Sequence, residues 1–195
     1  MLAAGLGRRF GGGKLTAPLH GRPLAAHALD VVRRARANGT VAEAVAVIGP
    51  DDGALLAVVD EAGLRAVVND APEHGLSGSL RRGLAELGGD IGAALVLLAD
   101  QPMVRDTTLA ALAAGWRAGL GDFIRPRYAD APGEPGHPVL LGRAVWPLVA
   151  RLEGDAGFGH LFPPGTAGVA LIDVAGSNPD VDTRDDLTTL ERSWT

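Results

Sequence analysis

Cysteine is absent from this 195-residue chain. That excludes disulfides, zinc thiolates, iron–sulfur clusters and a cysteine nucleophile. No apolar run is long enough to span a bilayer; the longest, around Ala93–Ala99, falls far short. Arg8 and Arg9 are not followed by the apolar stretch that an export signal carries. An excess of positive charge is also lacking. Lys and Arg number 18 against 23 Asp and Glu, for a net charge of −5. That balance disfavours a protein that clings to nucleic acid non-specifically. There is no Gly-x-Ser-x-Gly elbow and no His-Glu-x-x-His, and the five histidines are scattered without ligand spacing. Serine hydrolase and zinc enzyme readings therefore lack support. What remains is a cytoplasmic protein with neither membrane nor nucleic acid among its partners.

Hydrophobic residues make up 47% of the chain and charged residues 21%, which suits a folded core. The length fits one domain spanning residues 1–195. With 28 glycines and 13 prolines, about a fifth of the chain, tight loops are numerous. Helical spacing over Leu24–Ala37 predicts a helix, and Ala44–Ile48, closed by Gly49-Pro50, predicts a buried strand. Asp51 or Asp52 caps a helix through Glu61 that Gly63 stops, and Arg65–Val68 follows as a strand. Ser77 caps a helix to about Leu87. Ala94–Leu98 is purely apolar and ends abruptly in Ala99-Asp100-Gln101-Pro102. Asp106 or Thr107 opens a helix ending near Gly119. Then come a strand at Phe123–Arg125, a loop at Tyr128–Pro138 and a short strand at Val139–Leu141. Short helices at Trp146–Leu152 and Ala156–Phe162, a strand at Ala170–Val174 and a helix at Asp185–Trp194 complete the chain. Alternating strands and helices in the first 120 residues imply an α/β fold with a mostly parallel sheet, covered on both faces.

Four segments carry candidate chemistry. Leu2-Ala3-Ala4-Gly5 leads through Gly7-Arg8-Arg9-Phe10-Gly11-Gly12-Gly13 to Lys14. Glycines let backbone N–H groups approach an anion, and Arg and Lys neutralise phosphate. It is not a Walker A loop, because Arg8 stands where glycine is required and Leu15 replaces Ser/Thr. As a Rossmann loop it has Gly5 and Gly7, but Phe10 takes the third glycine position. The other reading is a flexible basic N-terminus. Asp100 stands at the carboxyl end of a parallel strand, where such sheets bind ligands, and a lone carboxylate there suits Mg²⁺. Alone, it reads also as a turn residue. Asp182, in Asn178-Pro179-Asp180-Val181-Asp182-Thr183, is a second candidate ligand, whereas Asp185 or Thr183 would cap the last helix. Ser77 and Ser79, in His74-Gly75-Leu76-Ser77-Gly78-Ser79-Leu80-Arg81, can hydrogen-bond a base or phosphate, or serve as ordinary helix-capping residues.

Together, and in this order, these segments resemble the molybdenum-cofactor nucleotidyltransferases, the MobA/MocA-like NTP transferases. Pro18–Leu24, Gly136-His137-Pro138 and Gly154-Asp155-Ala156-Gly157 add to the likeness. Leu2–Gly5, Leu98–Pro102 and Gly75–Arg81 side with the cytidylyl branch. The chain departs from that pattern at Gly78, where Ser is usual, at Phe158-Gly159, where Ala-Arg is usual, and at Arg184, which replaces a common Pro. The apolar run before Gly5 is short, so either the first strand is shortened or the start codon is misplaced.

The resemblance implies a three-layer Rossmann-like nucleotidyltransferase fold, similar to glycosyltransferase A. Residues 1–120 would form the nucleotide-binding half and residues 121–195 the acceptor-binding, closing half. It implies Mg²⁺ as cofactor, CTP or another NTP as donor, a molybdopterin-type acceptor, and a molybdenum hydroxylase apoenzyme as a further partner. Leu2, Ala3, Ala4, Gly5, Arg8, Lys14, Ser77 and Ser79 would bind nucleotide. Lys14, Arg9 and Asp100 would be catalytic, Asp100 and Asp182 would hold the metal, and His137 and Asp155 would face the acceptor. A phosphate monoester is largely dianionic at neutral pH, its second pKa being about 6, so it needs no strong general base. The alternatives are an NAD(P)H-dependent reductase of a quinone-like pigment on the same fold, guanylyl or sugar-nucleotide transfer, and a non-catalytic molybdenum cofactor carrier.

Overall fold

The computed structural model describes residues 1–131, 133, 136–149, 151–154 and 168–194. Its strands are β1 (Leu2–Ala3), β2 (Pro18–Leu19), β3 (Arg22–Pro23), β4 (Val45–Ile48), β5 (Arg65–Val68), β6 (Ala93–Val96), β7 (Phe123–Tyr128), β8 (Val139–Gly142) and β9 (Val169–Val174). Its α-helices are α1 (Leu24–Ala37), α2 (Gly53–Glu61), α3 (Gly75–Ala85), α4 (Asp106–Arg117), α5 (Trp146–Val149) and α6 (Arg184–Ser193). A parallel bridge between Leu2 and Leu98 joins a β1-β4-β5 unit to a β6-β8-β7-β9 unit. The resulting order is β5-β4-β1-β6-β8-β7-β9. All neighbours are parallel except β8, which runs antiparallel between β6 and β7. Strands β2 and β3 form a separate small hairpin.

Period-2 alternation sorts the central strands between two layers. Ala3, Ala46, Ile48, Leu97 and Ala99 pack with Ala25, Leu29 and Val32 of α1, Leu55 and Val59 of α2, and Leu109 of α4. Leu2, Ala4, Val47 and Val96 pack on the opposite face with Leu80 of α3 and Val149 of α5. That is the expected three-layer arrangement. A third cluster joins Phe10 of the glycine-rich loop to Leu19, Leu24, Val181 and Leu190, so α6 is bound to the start of the chain.

Several boundaries differ from the sequence reading. The strand expected at Phe123–Arg125 runs on to Tyr128, because β9 pairs with it along six residues. The helix expected over Trp146–Leu152 is a single turn, Trp146–Val149, after a 3-10 turn at Arg143–Val145. Ser77 is not a helix cap. A 3-10 turn at Pro72–His74 feeds α3 directly, and Gly75 begins it. Asp52 does cap α2, accepting from the Leu55 N–H at 3.0 Å. The hairpin β2–β3 was unforeseen, its two-residue strands being too short to show a period. The helix expected at Ala156–Phe162 lies outside the described residues.

Candidate functional site

The site begins where β1 ends. After Ala3 the chain enters the glycine-rich loop, where Gly7, Gly11, Gly12 and Gly13 all adopt positive φ. The Gly7 carbonyl accepts from the N–H groups of Phe10 (3.0 Å) and Gly12 (3.3 Å), closing a tight turn. Phe10 is 3% exposed and fixes this turn into the core beside α6. The Arg184 guanidinium lies 4.9 Å from the centre of its ring. Arg184, where the resembled family commonly has Pro, thus covers the anchor of the loop. Lys14 follows on a 3-10 turn, Lys14–Thr16.

Two carboxylates face Lys14. Asp100 stands just beyond the carboxyl end of β6. The Lys14 Nζ donates to Asp100 Oδ2 at 2.6 Å and to Asp182 Oδ1 at 3.3 Å. Arg9 Nη1 lies 2.9 Å from Asp182 Oδ2. The Lys14 side chain is 12% exposed, that of Asp100 21%, that of Asp182 31% and that of Arg9 76%. The Lys14–Asp100 pair is therefore the most shielded contact, and the Arg9 pair is a rim contact of small energetic value. Asp182 is delivered by two backbone features. The Val181 N–H donates to the Asp100 carbonyl at 3.0 Å. A capping box then opens α6: Thr183 Oγ1 accepts from the Asp186 N–H, and the Asp186 carboxylate accepts from the N–H groups of Thr183 and Asp182.

Asp100 Oδ1 is buried with no hydrogen-bond partner. A buried acceptor left open is costly unless a cation meets it. Among the described residues no three His, Cys, Asp or Glu side chains come together as a metal cage. Two carboxylates suffice for Mg²⁺, which takes one or two from protein and the rest from phosphate and water. Hard oxygen donors and the open Oδ1 fit such an ion.

A cleft of about 420 Å³ opens over this cluster. Its lining includes Leu2, Ala3, Ala4, Gly5, Arg8, Arg9, Lys14, Ser79, Asp100 and Asp182. A second hollow of about 380 Å³ adjoins it across the same loop and reaches Asp51 and Asp52. Together they match the size of a small-molecule site. Ser79 Oγ accepts from the buried Asn69 Nδ2 at 3.0 Å. Ser77 is buried deeper; its hydroxyl donates to the His74 carbonyl at 3.2 Å, and its N–H to the Gly154 carbonyl at 3.1 Å. At Gly78 a Cβ would stand 3.1 Å from the His74 Cβ, a tight approach at that turn of α3.

His137 stands apart from the cleft lining. Its carbonyl accepts from the Tyr128 hydroxyl (2.7 Å) and from Asn178 Nδ2 (3.3 Å). Its Nε2 is buried without a partner. Burial, with the nearby Arg125 charge, pushes the imidazole down to about 4. Burial likewise raises the Tyr128 phenol to about 12. Asp155 lies outside the described residues.

The sequence reading missed a polar relay between these two regions. Asn178 Nδ2 donates to Gln101 Oε1 at 3.1 Å, and Gln101 Nε2 donates to Asp180. Burial raises the Asp180 carboxyl, and the charges of Asp100 and Asp182 add to that rise. The signal was present in Asp100-Gln101-Pro102 and Asn178-Pro179-Asp180-Val181-Asp182: the first loop has one polar residue besides its candidate ligand, Gln101, and the second has two, Asn178 and Asp180.

A family model described as the MobA-like NTP transferase domain matches residues 1–167. Among solved structures, Rv0371c from Mycobacterium tuberculosis H37Rv is 31% identical, covers 98% of this chain and 95% of its own, and has a TM-score of 0.81. The same protein in complex with manganese gives 31% identity, 98% and 96% coverage and a TM-score of 0.80. Its homolog from Mycobacterium sp. strain JC1 is 32% identical over 99% of this chain and 93% of its own, with a TM-score of 0.84. The bifunctional protein GlmU of Thiobacillus denitrificans is 39% identical over 147 residues, which are 74% of this chain and 29% of that protein. The chain therefore spans less than a third of that relative's length. No described helix is long and apolar enough to cross a membrane.

Proposed function

The chain belongs to the MobA-like NTP transferase domain family, with the Rossmann-like fold of nucleotidyltransferases, and on that footing we propose that it moves CMP from CTP onto the terminal phosphate of a molybdopterin-type cofactor. The observation that carries the reading is the meeting of Arg9, Lys14, Asp100 and Asp182 in a glycine-walled cleft at the carboxyl ends of parallel strands. Ligands of open α/β sheets bind at that edge. The cytidylyl character rests on Leu2–Gly5, Leu98–Pro102 and Gly75–Arg81.

Asp100 and Asp182 would hold a divalent cation, Mg²⁺ on this reading. When bound, it would neutralise charge on the triphosphate. Support comes from the open Asp100 Oδ1 and from a 31% identical relative solved with manganese. Lys14 and Arg9 exchange their carboxylate partners for triphosphate oxygens and hold the donor in line. Leu2, Ala3, Ala4, Gly5 and Arg8 shape the floor and rim over which the phosphates lie. Ser77 and Ser79 belong to the helix that walls the base pocket. An acceptor phosphate oxygen forms a bond to the α-phosphorus while the bond from that phosphorus to the β-bridging oxygen breaks, and pyrophosphate leaves. The dianionic nucleophile needs no protein base, so positioning and charge neutralisation carry the rate. His137 and Asp155 would face the acceptor, with His137 as the neutral imidazole. Residues 1–195 act as one domain on this reading, with 1–120 serving the nucleotide and 121–195 the acceptor. The setting is the cytoplasm, and a molybdenum hydroxylase apoenzyme receives the product.

A thermal-shift panel of CTP, GTP, ATP, UTP and NADPH, each with and without Mg²⁺, tests the donor. A ligand at a hundred times its dissociation constant adds about 2.7 kcal/mol. A shift with CTP that needs Mg²⁺, followed by pyrophosphate release with molybdopterin, is expected. A shift with NADPH and with none of the four triphosphates would overturn the reading.

A further inference from the structure

Of the two serines in α3, only Ser79 lines the cleft. Ser77 lies behind the wall, with its hydroxyl hydrogen committed to the His74 carbonyl. Ser79 is also buried, and its oxygen accepts from Asn69 Nδ2 at 3.0 Å. Among the described residues its hydroxyl hydrogen meets no acceptor. A serine hydroxyl ordinarily rotates to donate or accept, whichever its partner needs. Asn69 removes that freedom.

Asn69 is buried just beyond β5, where its N–H continues the parallel pairing by donating to the Ile48 carbonyl at 2.9 Å. Its side-chain amide has one permitted orientation. The Ala71 N–H, which can only donate, meets Asn69 Oδ1 at 3.2 Å. Turned over, the amide would set N–H against N–H at Ala71. Nδ2 must therefore face Ser79, and an N–H there can only donate. Ser79 Oγ is held as the acceptor toward Asn69, which leaves its hydrogen for the cleft. A backbone N–H at Ala71 thus sets, through two side chains, the polarity of one point on the cleft wall.

A fixed donor selects its partner. Glu73 lines the same cleft, and a carboxylate accepts. A donor and an acceptor together match the edge of cytosine, whose ring N3 is a bare acceptor and whose N4 amino group donates. Uracil and guanine present the reverse, a ring N–H beside a carbonyl oxygen. Two donors brought face to face away from water leave both without a hydrogen bond.

We propose that Asn69 is a positioning residue for base choice: by holding Ser79 as a donor toward the cleft, it selects cytosine, with its bare ring nitrogen, over a base that carries a ring N–H. This rests on the proposed function, in which the cleft takes a nucleoside triphosphate. It adds a residue that does not itself line the cleft.

The test is calorimetric binding, in Mg²⁺, of CTP, UTP and a deaza analogue of CTP in which C–H replaces ring N3. The unaltered chain is expected to bind CTP at least about tenfold more tightly than either of the others. Ser79→Ala removes the donor and should bring all three within about threefold of one another. Asn69→Asp keeps the shape and the Ala71 contact but sets an acceptor opposite Ser79. The hydroxyl then donates to that carboxylate and turns its lone pairs to the cleft, so UTP should be preferred over CTP. A merely structural role for Asn69 would weaken both nucleotides alike, and that result would overturn the proposal. So would a CTP-to-UTP ratio that neither substitution moves. The deaza analogue needs no variant to fold: its binding to the unaltered chain as tightly as CTP would overturn the proposal by itself. Binding of no triphosphate at all would overturn the reading of the cleft, and the proposal with it.

Discussion

The perturbation with the clearest sign is a fall in pH from 8 to 5. The Met1 amine is pushed from 8.0 down to about 5 by burial, and it donates to the Val45 carbonyl. In the unfolded chain the amine is exposed and takes up its proton near pH 8. Between those values the unfolded state binds more protons than the folded one. Stability therefore rises with pH across the window and is lost as pH falls through it. At about 1.4 kcal/mol per tenfold change in proton affinity, the loss from pH 8 to pH 5 is about 3 kcal/mol. His137 adds a second step of the same sign between its ordinary 6.5 and about 4, because its Nε2 is buried and unpartnered. That step is worth about 2–3 kcal/mol more, reached only below pH 6. Asp180 acts oppositely: its raised carboxyl keeps its proton longer when folded, which favours the folded state toward acid. The assay is urea unfolding in buffers spaced by half a pH unit. Near pH 6.5 the unfolding constant should change about thirtyfold per pH unit, close to tenfold from the amine and about threefold from His137. Acetylating the Met1 amine should flatten that slope while leaving the lower His137 step in place. A flat profile between pH 8 and 6 in the free-amine chain would refute the reasoning, since it would mean that the amine meets water.

Three further outcomes follow from the site and its supports. Asp100→Ala should cut turnover at least about a hundredfold while far-UV circular dichroism and Tm show a folded protein; retained Mg²⁺-dependent turnover would remove Asp100 from the metal site. Phe10→Ala, at a position 3% exposed, should cost about 3–5 kcal/mol in urea unfolding and loosen the glycine-rich loop, read as faster exchange at the Gly12 amide. Thr183→Ala should cost about 1 kcal/mol by removing one arm of the capping box, and it should weaken metal binding at Asp182 more than it weakens the fold, as Mn²⁺ titration against unfolding would show.

Much of the fold could be read from local pattern. The apolar run that becomes β6 was visible because it stops so sharply at Asp100, and α1 because its apolar positions recur at helical spacing. Asp52 and Thr183 cap as their side-chain chemistry suggests. Non-local features were not legible. β8 inserts between β6 and β7, and its antiparallel pairing with β6 reaches back across α4 and β7 in the chain, beyond what period or turn residues reveal. Phe10 looked like a failed glycine position; only the packing of Leu19, Val181 and Leu190 around it shows it as an anchor. Ser77 looked like a cap because nothing local says that the turn at Pro72–His74 runs straight into α3. Gln101 and Asn178 were in view, but their hydrogen bond spans 77 residues of sequence.

The same distinction bears on how the candidate site is held. Lys14 and Asp182 are 168 residues apart, and the contact between them is only 3.3 Å long and partly exposed. An ion pair of that kind cannot offset the entropy of closing so long a loop. The closure must come from burial. Phe10 and Val181, at 3% and 1% exposure, share one cluster, and each lies one residue from a charged member of the site, Arg9 and Asp182. The Val181 N–H is also tied to the Asp100 carbonyl. Apolar contact thus sets the distance between the glycine-rich loop and the acidic strand end, leaving Arg9, Lys14, Asp100 and Asp182 free to change partners. A site held by its own ion pairs would come apart on taking up a triphosphate. In this one the charges can rearrange because Phe10 and Val181 carry none.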